Sequence, residues 1–294
     1  MKNYLPLIVI VGPTASGKTG LSIKLAKKFN GEIISADSRA IYRGLDIGTA
    51  KPSIEERQGV VHWGIDLVNP GKCYTAADFK RYADAKIDDI RSRGHLPILA
   101  GGSGLYIDAV LFNFEFGELP IVEKRTTLQK MDILELQSYC VKNNIKLPDN
   151  IQNKRHLIRT IERGGIRGER SKCPPNNTIV VGITTLKKTL HERIAKRAEC
   201  MIKNNVVNEA TMVADKFGWN NEAMTGNIYS IIKKHKKCVL NEKEMLQEFI
   251  KSDMRLVKKQ MTWFRKNSFI VWGDLASCER YLMQILEGGQ LESK

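Results

Sequence analysis

Apolar and polar positions follow two periods along the first 112 residues. The run LPLIVIV (5–11) is continuously apolar, as expected for a parallel strand buried on both faces. GKTGLSIKLAKKF (17–29) places Leu21, Leu25 and Phe29 on one helical face. EIISA (32–36) reads as a second strand, and VVHWGIDL (60–67) as a third. TAADFKRYADAKIDDIRSRG (75–94) reads as a helix, with Thr75 as N-cap, Asp78 three residues on and Gly94 as the stop. LPILA (96–100) is another buried strand, followed by a Gly-Gly turn. This alternation predicts an α/β core, a doubly wound parallel sheet.

The alternation fails over 113–152, where EKRTTLQKMDILELQSYCVKNN is polar and helical and LPDN closes it. A small helical insertion is expected there, between a first part of the core (1–112) and the rest of it (153–294). NKRHLIRTIERGG (153–165) is a basic helix, 168–177 a loop, and TIVVGIT (178–184) a returning strand. Helices are expected at 187–204, 205–217, 224–236 and 242–266. A last strand is placed at 269–272 and a last helix at 277–287.

Composition changes this picture little. With 42% hydrophobic and 27% charged residues, the chain reads as an ordinary globular protein. No apolar run is long enough to span a membrane, and the N-terminal run leads directly into a glycine loop. The six cysteines form no Cys-x-x-Cys pair and the five histidines show no metal spacing. Reduced thiols in a cytoplasmic protein are the expectation.

Charge changes the picture more. Residues 1–150 carry 20 basic and 17 acidic side chains, whereas 151–294 carry 27 and 15, giving a net +15 concentrated in the second half. A near-neutral half joined to a basic one suggests a polyanionic partner, with nucleic acid favoured.

The chemistry begins at GPTASGKT (12–19), which fits the phosphate-binding pattern G-x-x-x-x-G-K-[ST] between a strand and a helix. The backbone N–H groups of Gly12, Pro13, Thr14, Ala15, Ser16 and Gly17, proline excepted, and the helix N-terminus would surround an anion. Lys18 adds a positive charge, and Thr19 a hydroxyl ligand for Mg²⁺. Such a loop serves ATP-dependent phosphoryl transfer, or it holds a diphosphate that leaves. The strand LPILA ends in Gly101-Gly102 without the Asp that commonly places Mg²⁺ in kinases.

A second group of residues follows the second strand, in ISADSRAIYRGLDIGTAKP (34–52). Asp37 belongs at the carboxyl edge of the sheet, where ligands bind in open α/β folds. It fits a general base, or a cap of the next turn together with Ser38. Asp46 reads as a turn residue, whereas Thr49 and Lys51 could reach an anion. Ser103 in GGSGLY (101–106) either caps the next helix or touches substrate. In RLVKKQMTWFRK (255–266), Arg255, Lys258, Lys259 and Arg265 bring charge at helical spacing beside Met261, Trp263 and Phe264, and Trp263 is expected in the core.

The series GPTASGKT, ISADSRAIYRGLDIGTAKP, PILAGGSGLY, NKRHLIRTIE and KKQMTWFR, in this order, resembles the tRNA dimethylallyltransferase (tRNA isopentenyltransferase) family over roughly residues 6–272. The resemblance implies transfer of a dimethylallyl group from dimethylallyl diphosphate to N6 of the adenine 3′ of the anticodon, with Mg²⁺ required. It implies that Asp37 acts as base while Lys18, Thr19 and an arginine, Arg193 or Arg197 with Arg193 preferred, hold the diphosphate. Asp37, Ser38, Arg39, Ala40 and Ser103 would contact the target nucleotide, and Arg125, Arg155 and Arg159 the tRNA. The chain departs from the family where Ala40 replaces Gln, His62-Trp63 replaces a His-His pair, Ser103 replaces Thr, and TGNIYSI (225–231) replaces a Gly-Tyr-Lys/Arg-Gln/Glu stretch. Competing readings are an adenylate isopentenyltransferase using free AMP or ATP, a P-loop nucleotide kinase, and a decayed tRNA-binding protein. A cytoplasmic monomer is the default, with tRNA and dimethylallyl diphosphate as partners and no membrane.

Overall fold

The computed structural model describes residues 5–116, 122–165 and 169–288. Parts of the expected insertion (117–121) and of the expected loop (residue 168) lie outside them. The chain divides into two compact units, residues 1–111 with 175–294, and residues 112–174.

In the first unit the elements run β1 (Leu7–Val11), α1 (Lys18–Lys28), β2 (Gly31–Ala36), β3 (His62–Trp63), α2 (Ala76–Ser92), β4 (Leu96–Gly101) and α3 (Gly104–Leu111). The second unit holds α4 (Val122–Lys130), α5 (Ile133–Lys142) and α6 (Lys154–Glu162). The first unit resumes with β5 (Thr178–Ile183), α7 (Lys187–Lys203), α8 (Val206–Phe217), α9 (Asn227–Lys236), α10 (Glu242–Phe264), β6 (Val271–Gly273) and α11 (Leu275–Gly288).

The described strands form one sheet in the order β3-β2-β4-β1-β5-β6, parallel at every pairing. Strands β1 and β4 are buried along their whole length, which is why their sequences are unbroken apolar runs. Leu21 and Leu25 of α1 and Cys278 and Leu282 of α11 cover one face, packed on Ile8, Ile10, Ile98 and Val181. A separate core joins Ile41, Tyr42 and Leu45 to α7, α8, α9 and α10. Because the strands are parallel, the loops after β1, β2 and β4 all emerge at one edge.

Local signals account for most boundaries. Thr75 Oγ1 accepts from the Asp78 amide at 3.2 Å and Asp78 accepts from the Thr75 amide at 2.8 Å, a complete capping box. The third strand is much shorter than expected. Gly64 (φ 81°) and Asp66 (φ 55°) take left-handed backbone, which ends the extended run after Trp63. The helix expected from 224 begins instead as a 3₁₀ turn at Ala223–Thr225, and Gly226 in an extended conformation separates it from α9.

The second unit has its own core of Leu128, Leu136, Cys140, Leu157, Ile158 and Ile161. Helix α6 therefore packs with α4 and α5, whereas the sequence reading grouped it with the rest of the core. Its apolar face has no features that name its partner.

At the far end of β2, Glu32 is buried and accepts hydrogen bonds from Arg93, with Nη2 at 3.0 Å, and from Trp63 Nε1 at 2.7 Å. His95 Nδ1 lies 2.6 Å away. Trp63, where the resemblance leads to the expectation of a His, is thus a structural donor, and Lys86 lies over its ring at 3.8 Å. These partners, Arg93 first, hold the Glu32 carboxyl at about 2, below its ordinary 4.5. A depressed carboxyl contributes stability that is present above its unfolded pKa and is lost as the pH falls from 4.5 towards about 2. Glu32→Gln is expected to cost about 2–3 kcal/mol near neutral pH. Denaturant unfolding of both proteins at pH 7 and pH 3 checks this. An equal difference at the two pH values would remove Glu32 from this role.

Candidate active site

The loop between β1 and α1 is shaped by backbone that few side chains tolerate. Gly12 has φ 149°, and a Cβ there would lie 2.9 Å from the Ile183 carbonyl. Ala15 (φ 62°) and Gly17 (φ 98°) turn the chain so that α1 starts at Lys18. No side chain caps α1, so the amides of its first turn are left for an anion. The Ser16 hydroxyl is buried without a hydrogen-bond partner among the described residues. Lys18 Nζ folds back to donate to the Gly12 carbonyl at 2.9 Å and the Pro13 carbonyl at 2.6 Å. Burial lowers its pKa from 10.5 to about 8, Asp37 opposing that shift and Arg197 adding to it.

A cavity of about 500 Å³ opens above this loop. Thr14 to Thr19 form one wall, and Thr49, Ala50, Lys51 and Pro52 another. Both arginines of α7 reach it. Arg193 donates to the Ala15 carbonyl at 3.1 Å, and Arg197 donates to Thr14 Oγ1 at 2.8 Å and to Asp253 at 2.5 Å. The two are one helical turn apart, so a single face of α7 carries both. The preference for Arg193 over Arg197 has no geometric counterpart, since each contacts the glycine loop.

Asp37 follows β2 directly and lines both this cavity and a second one of about 280 Å³. Its Oδ1 accepts from the Arg39 amide at 2.8 Å, so the carboxylate also pins its own turn. The two readings of Asp37, base and turn cap, are compatible because one oxygen serves the turn. Ser38 and Ser103 are tied together, the Ser103 hydroxyl accepting from the Ser38 amide at 2.9 Å. That bond replaces the helix cap considered for Ser103. Arg39 donates to the Glu222 carbonyl at 2.8 Å and to Thr225 Oγ1 at 3.2 Å. Ala40 is buried and presents only a methyl group to the larger cavity.

Three residues of α10 complete the walls, and none of them has a role assigned from the sequence. Gln260 accepts from the Thr14 amide at 2.8 Å and donates to the Gly102 carbonyl at 3.1 Å, joining the loops after β1 and β4. Asp253 holds Arg197. Asp253, Leu256 and Gln260 all line the cavities. Their i, i+3, i+7 spacing is a helical stripe that could have been read from the sequence.

Other expectations change. Lys51 is not available to an anion, because its buried ammonium donates to the Tyr42 carbonyl, Asp46 and Asp66. Trp263 is 38% exposed rather than in the core. Its Nε1 donates to Asp108 at 2.9 Å, and its ring packs on Gly104, where a Cβ would lie 2.4 Å from Cδ1.

Within residues 112–174, Asn153 caps α6 by accepting from the Arg155 amide at 3.0 Å. The Arg155 side chain is exposed. Arg125 and Arg159 lie 3.5 Å and 3.9 Å from the buried carboxylate of Glu162. Glu162 thereby keeps two guanidinium groups of different helices together on this unit.

Among the described residues no group of three or more His, Cys, Asp or Glu side chains could hold a metal alone. Mg²⁺ bound beside phosphates keeps several waters and takes few protein ligands, all oxygen. The exposed Thr19 hydroxyl, on the larger cavity, fits that donor set.

Comparison with known proteins agrees with this geometry. A family profile described as IPP transferase matches residues 40–267. The chain is 37% identical over 284 residues to a tRNA dimethylallyltransferase of Acetivibrio thermocellus, covering 90% of each. It is 35% identical over 287 residues to one of Staphylococcus epidermidis, covering 90% of this chain and 86% of that one. The crystal structure of a full-length tRNA isopentenylpyrophosphate transferase from Bacillus halodurans superposes with a TM-score of 0.74 at 31% identity, covering 96% and 97%. A eukaryotic dimethylallyltransferase acting on tRNA shares the fold, with a TM-score of 0.80 at 20% identity, covering 99% of this chain and 81% of that one. With more than half of its length matched by the profile and relatives above 30% identity over nearly all of it, this chain belongs to the IPP transferase family.

Proposed function

We propose that this protein transfers a dimethylallyl group from dimethylallyl diphosphate to N6 of the adenine 3′ of the anticodon in tRNA, releasing diphosphate. The observation that carries the proposal is the sharing of one cavity by an uncapped anion-binding helix end and a carboxylate. The first suits a diphosphate and the second a proton acceptor.

The prenyl C1–O bond breaks as the N6–C1 bond forms. Negative charge grows on the departing diphosphate, where the amides of the glycine loop, Lys18, Arg193 and Arg197 are placed to stabilise it. Lys18 must leave the Gly12 and Pro13 carbonyls to do so. A bound Mg²⁺, held by Thr19 and substrate oxygens, would neutralise part of the same charge. The N6 proton passes to Asp37. The adenine has to leave its stack to reach this carboxylate, and the smaller cavity, lined by Asp37, Ser38, Arg39 and Ser103, supports a seat for it. Ala40 lines the larger cavity instead, and its side chain offers a base no hydrogen bond. Arg125, Arg155 and Arg159 support tRNA binding through phosphate contacts. A cytoplasmic setting accords with such a substrate, and no described helix is long and apolar enough to cross a membrane.

Parallel reactions test the proposal. Labelled dimethylallyl diphosphate and Mg²⁺ are supplied with unmodified tRNA carrying adenine 3′ of the anticodon, or with AMP, and ATP consumption is followed separately. Label in tRNA alone is the expected result. Label in AMP moves the acceptor to a free nucleotide, and ATP loss without prenyl transfer overturns the reaction class.

A further inference from the structure

Thr49–Pro52 form a wall of the larger cavity, and the segment 45–52 that carries them belongs to no strand or helix. Its shape is imposed from elsewhere. Glu209 on α8 accepts from three successive amides, those of Asp46 at 2.7 Å, Ile47 at 2.6 Å and Gly48 at 2.9 Å. The same carboxylate accepts from the hydroxyl of Tyr229 on α9 at 3.0 Å. Three consecutive N–H groups turned to one point form an anion nest, here filled by a side chain of the same protein. Tyr229 is buried and presses on the segment so closely that a Cβ on Gly48 would lie 2.5 Å from its oxygen. The glycine of GTAKP is therefore a matter of space.

Beyond the clamp the chain turns through Ala50, which has φ 52°, a conformation that L-residues avoid. An amide–carbonyl bond from Ala50 to Ile47 at 3.0 Å and one from Lys51 to Asp46 at 3.0 Å close the turn. Ala50 and Pro52 then face the cavity together with Leu256 and Leu275. These four are apolar, and they share the cavity with the cations and amides of the glycine loop, Leu275 lying against Gly17. Such a pairing suits a molecule with a charged diphosphate head and a short branched hydrocarbon tail.

We infer that Glu209, with Tyr229, is a positioning residue for the prenyl donor, holding residues 46–48 so that Thr49 and Ala50 form the wall against which the donor is seated. It touches no reacting atom. The inference rests on the prenyl-transfer reading. It also gives Tyr229, in the stretch TGNIYSI (225–231), a role in shaping the donor site besides its place in the lining of the smaller cavity.

The test uses the full chain with Glu209→Gln, which keeps the shape but replaces one acceptor oxygen by a donor, and Tyr229→Phe, which removes one hydroxyl. In Glu209→Gln the amides of Asp46, Ile47 and Gly48 are expected to exchange hydrogen about tenfold faster or more, while the β1 and β4 amides keep their protection. The Kd for inorganic diphosphate with Mg²⁺ and the KM for dimethylallyl diphosphate are expected to rise about tenfold, with kcat and the KM for tRNA changed less than about twofold. Tyr229→Phe is expected to show the same pattern at about threefold, and it carries the test if Glu209→Gln does not fold. Unchanged exchange at 46–48, faster exchange with an unaltered diphosphate Kd, or a fall confined to kcat would each overturn the inference. Absence of prenyl transfer in the unsubstituted protein would instead overturn the underlying reading, and the exchange and diphosphate measurements would still decide whether Glu209 shapes an anion site.

Discussion

Asp37→Asn is expected to lower single-turnover prenyl transfer by about 10²–10⁴-fold while leaving the Kd for tRNA within about twofold. The amide separates the two jobs of this side chain. Its oxygen can still accept from the Arg39 amide, now at 2.8 Å, and so keep the turn that carries Ser38 and Arg39 into the smaller cavity. It cannot take a proton from N6. Asp37→Ala removes both functions and is expected to lose tRNA affinity as well. Quenched-flow transfer and filter binding on the two variants distinguish the roles. If Asp37→Asn retains more than about a tenth of the rate, proton removal belongs to another group or to water.

Loss of the Lys18 charge is expected to be the next most damaging change. Lys18→Met should reduce kcat by about 10²–10³-fold, the scale seen when one preorganised donor to a developing anion is removed. Its effect on binding depends on pH in a definite direction. Desolvation lowers the free-protein ammonium to about 8, so it is protonated below that pH and neutral above it. Diphosphate binds the charged form, so its affinity should fall as the pH rises through about 8, and binding above that pH should take up a proton. Calorimetric titration of inorganic diphosphate between pH 6.5 and 9.5, in buffers of different ionisation enthalpy, reads both effects. The difference between Lys18→Met and the unsubstituted protein isolates the side chain from the ligand's own titration. A difference that stays constant with pH would remove Lys18 from the anion site.

How far the sequence reveals this site depends on the range of the signal. The glycine loop, β1, β4 and the Thr75–Asp78 capping box are written in adjacent residues, and the structure has them where the pattern puts them. Asp37 is legible for the same reason, because a residue just past a buried parallel strand has only the carboxyl edge to occupy. The missing length of β3 lies in backbone dihedrals, since the left-handed conformations of Gly64 and Asp66 are not written in the hydrophobic pattern. Trp263 was misjudged because its size argues for burial, while the acceptor that holds it at the surface, Asp108, is 155 residues away in the chain. Lys51 was read as an anion ligand from its setting among glycines. Its two carboxylate partners, Asp46 and Asp66, come together only in the folded chain. The α10 stripe of Asp253, Leu256 and Gln260 is legible by period, but it runs among lysines, Arg255 and aromatics whose charge and size dominate the pattern of this segment.

One feature of residues 112–174 bears on how proteins of this kind diversify. The segments by which this unit begins and ends run beside each other, the Ser171 amide donating to the Phe112 carbonyl at 2.7 Å and the Glu115 amide to the Glu169 carbonyl at 2.9 Å. A module whose two ends meet at such a neck is a graft on a single loop of its host. It can be shortened, enlarged or exchanged between homologues with the strand order of the sheet intact, because the host sees only two neighbouring attachment points. Such a module can change in sequence and size at a rate separate from that of its host.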